Sequence, residues 1–229
     1  MIEFTSVSKK YPNGTKALKD VNFSISKGEF VFIVGASGAG KSTLIKLLLR
    51  EISPTTGEIV VNGKKYSELK PKQVPYLRRS LGVVFQDFRL IPNMTAYDNV
   101  AFALRVTNVA TQYIRKRVPY VLGLVGLADK AHHIPEQLSG GEQQRVALAR
   151  AFVTNPPIII ADEPTGNIDP ELSYEIVDLL NEINRCGTTI VMVTHEHELV
   201  KEFNKRVITI DEGRVARDAL GVGGRNEIW

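Results

Sequence analysis

The chain has 229 residues, 43% of them hydrophobic, which suits one substantial core with an attached subdomain and is too little for two domains of ordinary size. A single cysteine, Cys186, excludes an intramolecular disulfide, and no apolar run approaches the roughly 18 residues that cross a bilayer. The formal net charge is +4, and no charged-then-apolar segment at the N-terminus reads as a signal peptide, so the expected compartment is the cytosol and any membrane role is expected to come through a partner.

The first stretches alternate. Ile2-Glu3-Phe4, Val21-Asn22-Phe23-Ser24-Ile25 and Glu58-Ile59-Val60-Val61 are separated by turn signals such as Pro12-Asn13-Gly14 and Lys27-Gly28, which predicts antiparallel strands. Tyr11 falls in the first of these turns, where its ring either stacks on a base or packs beside the turn.

Phe30-Val31-Phe32-Ile33-Val34 is a continuous apolar run. It leads into Gly35-Ala36-Ser37-Gly38-Ala39-Gly40-Lys41-Ser42 and then Thr43-Leu44-Ile45, giving strand, glycine-rich loop and helix. That is a P-loop in its proper context. Glycines let backbone amides turn inward around a phosphate, and the helix start adds a favourable dipole. Lys41 reaches the terminal phosphates, and Ser42 offers a hydroxyl to Mg²⁺. The chain is therefore expected to bind a nucleoside triphosphate.

Between Lys64 and Arg79 six basic residues stand against one acid, Glu68. Such a stretch suits anionic lipid or nucleic acid, but Pro71 and Pro75 interrupt it and no helical or aromatic-interleaved pattern runs through it. It reads as a solvated face. A short strand, Gly82-Val83-Val84-Phe85, then ends in Gln86, whose amide can serve Mg²⁺ or an attacking water or be an ordinary loop residue. From Asp87 to Phe152 the pattern is mostly helical. The expected layout is one domain, with a core of 1–86 and 156–219, a helical subdomain of about 87–155 hinged near Gln86 and Pro156, and a loose tail over 220–229.

Within the helical stretch, Leu138-Ser139-Gly140-Gly141-Glu142-Gln143-Gln144-Arg145 holds a capping box, Ser139 with Glu142 three residues on. Two glycines in a first turn cost about 1 kcal/mol each relative to alanine. That loss makes sense where bare amides must approach an anion, so the segment is expected to face a second phosphate site. With one P-loop per chain, a self-paired chain would bring the two sites together.

Ile158-Ile159-Ile160-Ala161 delivers Asp162 and Glu163 to the carboxyl end of a buried strand, where open α/β sheets place their ligands. Asp162 suits Mg²⁺ and Glu163 suits a general base, against the plainer reading of two solvent-facing acids before Pro164. Asp169 before Pro170 reads as the N-cap of a helix carrying Ile176, Val177, Leu180 and Ile183. His195 follows Thr188–Thr194, another strand, and either reaches a γ-phosphate or is a hydrogen-bonded strand end. His132, His133 and His197 lack metal-ligand spacing. Strand-helix alternation here predicts a parallel sheet covered on both faces.

P-loop, strand-end glutamine, Leu-Ser-Gly-Gly-Glu, Asp-Glu after an apolar strand and strand-end histidine occur in one order, and over essentially the whole chain this resembles the ATP-binding subunits of ABC transporters. The resemblance implies an α/β P-loop NTPase with a mixed-sheet core, an N-terminal antiparallel β subdomain and a helical subdomain. It also implies ATPase activity in a head-to-tail homodimer with two ATP molecules at the interface, each between Lys41 of one copy and Ser139, Gly140, Gly141 and Glu142 of the other. By matching positions, Tyr11 takes adenine, and Gly35, Ala36, Ser37, Gly38, Ala39, Gly40, Lys41, Ser42 and Thr43 take the phosphates. Ser42, Gln86 and Asp162 surround Mg²⁺, Glu163 is the base and His195 the γ-phosphate switch. Asn167-Ile168-Asp169 matches the segment that crosses between subunits.

Val74–Arg79, Val84–Leu90, Tyr97–Leu104 and Arg206-Val207-Ile208 with Arg217-Asp218 are further similar to a cell-division branch of that family. That implies an integral membrane partner at the cytoplasmic face of the division septum, and control of peptidoglycan hydrolases in place of solute pumping. The partner is expected beside Gln86–Val100, where Phe88, Leu90, Ile91 and Met94 cluster; packing onto the helical subdomain is the alternative. The alternative is an ATPase of a lipoprotein-release or macrolide-export system, which shares Glu163-Pro164-Thr165-Gly166-Asn167 and differs mainly in its membrane partner. Soluble relatives acting on DNA or ribosomes usually carry a coiled-coil insertion or two fused halves, which this sequence lacks, so no nucleic-acid partner is expected.

Overall fold

The alternation at the N-terminus becomes a small antiparallel sheet in the computed structural model, which describes residues 1–166 and 168–220. Strands β1 (Ile2–Lys10) and β2 (Lys16–Ile25) pair with Ile2 opposite Ile25 and Phe4 opposite Phe23, whose rings stack at 4.6 Å. This is the cross-strand aromatic pairing that fixes register. The apolar run β3 (Phe30–Val34) is buried at every position and feeds α1 (Lys41–Leu48). β4 (Thr56–Val61) pairs antiparallel with β1, and the two-residue β5 (Lys64–Lys65) turns back on β4.

The basic segment departs from expectation. A 3₁₀ turn (Pro71–Gln73) leads into the short helix α2 (Val74–Arg79), with Leu77 buried beneath its exposed cations. Both prolines lie in first turns, Pro71 opening the 3₁₀ turn and Pro75 second in α2, where a missing N–H costs nothing.

β6 (Leu81–Val84) begins a second unit, residues 79–188. It holds α3 (Ala96–Arg105), α4 (Thr111–Leu124), α5 (Gly140–Phe152), β7 (Ile158–Asp162) and α6 (Pro170–Arg185). β6 and β7 are parallel, with Leu81 opposite Ile158 and Val84 opposite Ala161. α3 packs on α4 and α5 through Val100, Ala101 and Leu104, while α5 buries Val146 through Ala149. Asn99, fully buried on α3, accepts from the Ile91 amide at 2.7 Å and donates to the carbonyls of Ile91, Met94 and Thr95, fastening the preceding loop to the helix. Asp169 caps α6 by accepting from Leu172 N, with Pro170 following it.

The chain then returns to the first unit, residues 1–78 with 189 onward. It adds β8 (Thr189–Val193), the short helix α7 (His197–Phe203), β9 (Arg206–Asp211) and β10 (Arg214–Leu220). β3 lies between β9 and β8, parallel to both, and β10 closes antiparallel on β9. Arg206 bridges Asp218 across that hairpin and reaches Glu29. Leu220, expected in the tail, pairs with Arg206 as the last residue of β10. The rest of the tail, Gly221–Trp229, and Asn167 of the crossing segment lie outside the described residues. No helix among the described residues is long and apolar enough to cross a membrane.

Candidate functional site

In the first unit, β3 ends where the glycine loop begins. Gly40 sits at φ 116° as the N-cap of α1, and a Cβ there would fall 2.6 Å from the Ala17 carbonyl oxygen; at Gly35 it would fall 2.2 Å from that of Ile210. Only glycine permits this path. No side chain caps α1, so its first amides remain directed at an incoming anion. Lys41 is 8% exposed and its ammonium donates to the carbonyls of Gly35 (2.7 Å) and Ala36 (3.1 Å), holding the charge against the loop. An ammonium has three donors, and these carbonyls take two.

Ser42 is exposed on the first turn of α1. Thr43 is buried behind it, its hydroxyl 3.2 Å from that of Tyr11, which ties Tyr11 to the P-loop helix. Ile33 and Val193 are partners in the parallel ladder, so Gly35 and the exposed His195, each two residues on, emerge at the same end of the sheet. Tyr11, the P-loop and His195 thus gather around the carboxyl ends of β3 and β8.

The second unit repeats the arrangement. Gln86 and Glu163 each lie two residues beyond the paired Val84 and Ala161. A Cβ on Gly166 would lie 2.9 Å from Gln86 Nε2, so the turn after Glu163 rests against the Gln86 side chain. Glu163 is half-buried at φ 45°, a left-handed conformation that few non-glycine residues adopt. Ser139 caps α5 with a reciprocal box: Ser139 Oγ accepts from Glu142 N at 3.3 Å, and Glu142 Oε2 accepts from Ser139 N at 2.9 Å. Lys130 donates to the other carboxylate oxygen of Glu142, and this bond, with the Ser139 amide, holds that carboxyl below its ordinary value.

Gly141 is buried, and a Cβ there would meet Leu172 Cδ1, the tip of a side chain on α6, at 2.7 Å, so α5 and α6 pack closely at this glycine. Three contributors went unread in the sequence: Lys130, Gln144, whose side chain donates to the Pro164 carbonyl, and Arg150, which grips the loop after Gln86. Each is a polar group on or beside α5, and only the tertiary fold reveals its partner.

The ABC transporter family model matches residues 18–166. The chain belongs to the ABC transporter family. It is an ATP-binding ATPase cassette. Among its relatives, the cell division ATP-binding protein FtsE of Bacillus subtilis is 54% identical over 95% of this chain and 96% of its own. That of Escherichia coli K12 is 46% identical over 94% and 97%. Among solved structures, the dimeric ATP-binding cassette MJ0796, in a post-hydrolysis state bound to ADP and Pi, superposes with a TM-score of 0.88 at 39% identity, covering 98% of this chain and 100% of that one.

Mg²⁺ takes one or two protein oxygens beside phosphate and water, and each unit carries oxygens of that kind: in the first, the exposed Ser42 hydroxyl, and in the second, Asp162 at the end of β7 and Gln86 two residues beyond β6. Among the described residues no group of three His, Cys, Asp or Glu is placed to hold a metal by protein atoms alone.

Proposed function

We propose that the chain is the ATP-hydrolysing subunit of a cell-division membrane complex, working with an FtsX-like integral membrane subunit at the cytoplasmic face of the septum to regulate peptidoglycan hydrolysis. The observation that carries this reading is identity of 54% with B. subtilis FtsE over 95% of the chain, extending well beyond the nucleotide motifs. As in the dimeric MJ0796 cassette, two copies pair. Each ATP then lies between Tyr11, Gly35–Thr43 and Lys41 of one copy and Ser139–Glu142 of the other. Ser42, Gln86 and Asp162 are the residues that would offer oxygens to Mg²⁺, which when bound would supply charge neutralisation for phosphoryl transfer. Glu163 accepts a proton from the attacking water, and His195 senses the γ-phosphate.

Co-expression decides the partner. The full chain, produced beside an FtsX-like membrane subunit and separately beside one of the lipoprotein-release type, is captured from detergent extracts through the membrane subunit. Retention by the first alone is expected; retention by the second alone would assign the chain to export.

A further inference from the structure

Phe88 and Arg89, two and three residues beyond Gln86, both have left-handed backbones, with φ of 56° and 47°. A bulky aromatic residue in that region is an outlier, and two such residues in succession persist only where the surroundings hold them. The holder is Arg150, from the third turn of α5. Its guanidinium donates from one nitrogen to the Phe88 carbonyl at 2.8 Å and from another to the Arg89 carbonyl at 2.6 Å. The fork of a guanidinium spans two adjacent carbonyls in a way that a lysine cannot. The Arg89 side chain contributes little to this grip, since it turns outward onto the Phe85 ring and Asp87.

We propose that Arg150 is a positioning residue for Gln86. It holds the loop in its left-handed form and, because α5 begins at the Ser139 cap, it links the signature end of that helix to Gln86. Ser139 and Arg150 are eleven positions apart, about 16 Å along a helix rising ~1.5 Å per residue. A rigid rod of that length carries a shift of the signature end directly to the loop. The inference rests on the reading of Gln86 and Ser139–Glu142 as nucleotide-facing groups.

The test compares the full chain with Arg150→Lys, Arg150→Ala, Arg89→Gly, Arg150→Ala with Arg89→Gly, and Gln86→Ala. Turnover and affinity for MgATP are measured, together with amide hydrogen exchange over residues 86–91. Arg150→Lys and Arg150→Ala are expected to lower turnover about tenfold or more, to keep ATP affinity within about threefold, and to raise exchange over 86–91 while α5 stays protected. Arg89→Gly restores at least half of the lost turnover, on a logarithmic scale, because glycine takes the left-handed form unaided. A purely structural role for Arg150 in α5 would show no such rescue. Parental turnover and exchange in Arg150→Lys, or an absence of rescue in a folded double variant, overturns the proposal. Parental turnover in Gln86→Ala instead overturns the reading of Gln86 on which it rests. Exchange decides the matter even where Arg150→Ala folds poorly, since Arg150→Lys keeps the positive charge at this half-buried position.

Discussion

Gln144, fully buried on the second turn of α5, donates its side-chain amide to the carbonyl of Pro164, in the turn that follows Asp162 and Glu163. The helix capped by Ser139 thereby holds the turn that carries the candidate base. Gln144→Leu keeps the volume and removes the donor, leaving a buried carbonyl unsatisfied, which costs about 1–3 kcal/mol. Urea unfolding is expected to show a loss in that range, with turnover falling further than stability alone explains because the Glu163 backbone loses its tether. Parental turnover in the folded variant would mean that the tether is only structural.

Lys41→Ala removes the ammonium that the Gly35 and Ala36 carbonyls hold against the loop. Hydrogen bonds to charged groups contribute about 1.5–3 kcal/mol each, so ATP affinity is expected to fall roughly 10- to 100-fold, read by nucleotide titration with Mg²⁺ present. The loop itself should survive, because its path is set by Gly35 and Gly40.

Glu163→Gln keeps the shape of the strand end and loses its basicity. If Glu163 takes the proton from water, turnover drops by roughly 10²–10⁴ while ATP stays bound, and sedimentation with MgATP should then show a persistent dimer. A variant that turns over at the parental rate and stays monomeric removes Glu163 from that role.

The capping box at Ser139 carries a pH signature. Glu142 is held below the ordinary glutamate value of 4.5, first by the bond from Lys130 and then by the Ser139 amide. Its contribution to the folded state is therefore fully present above about pH 4.5 and is lost as pH falls through the lower folded value. Lys130→Ala should move that loss to higher pH, seen as earlier exchange of the Glu142 and Gln143 amides in an acid titration.

Much of this was legible in order along the chain. The fully apolar runs at 30–34, 158–161 and 190–193 became buried strands, because parallel strands covered on both faces permit no alternation. The P-loop was legible because its glycines, lysine and serine keep a fixed local spacing between strand and helix, although the Ala17 and Ile210 carbonyls that crowd Gly40 and Gly35 lie far away in sequence. Pro71 and Pro75 misled because position within a turn, which composition does not reveal, decides whether proline ends a helix or begins one. Gln144 and Arg150 were silent in the sequence, since an arginine in a helix and its carbonyl partners about 60 residues earlier share no local pattern.

The loop after Gln86 also supports a prediction about the membrane partner. Phe88, Leu90, Ile91 and Met94 are all half-buried, so neither reading of the cluster exhausts it: part of each side chain packs inward, and part stays available to another protein. The backbone beneath is fixed by Arg150 at Phe88 and by Asn99 at Ile91, giving a firm platform for an amphipathic helix. Both contacts use backbone atoms at 88 and 91, so serine at 88 and 90 leaves them in place while it removes the exposed apolar surface together with some inward packing. Capture of the Phe88→Ser, Leu90→Ser double variant by an FtsX-like subunit should fall about tenfold or more. Its ATP affinity should stay parental, because Lys41 and its loop are untouched. Unweakened capture of the folded variant, assayed in membranes beside an ATP titration, would exclude this surface as the docking site and leave the four side chains as packing for the helical segment alone.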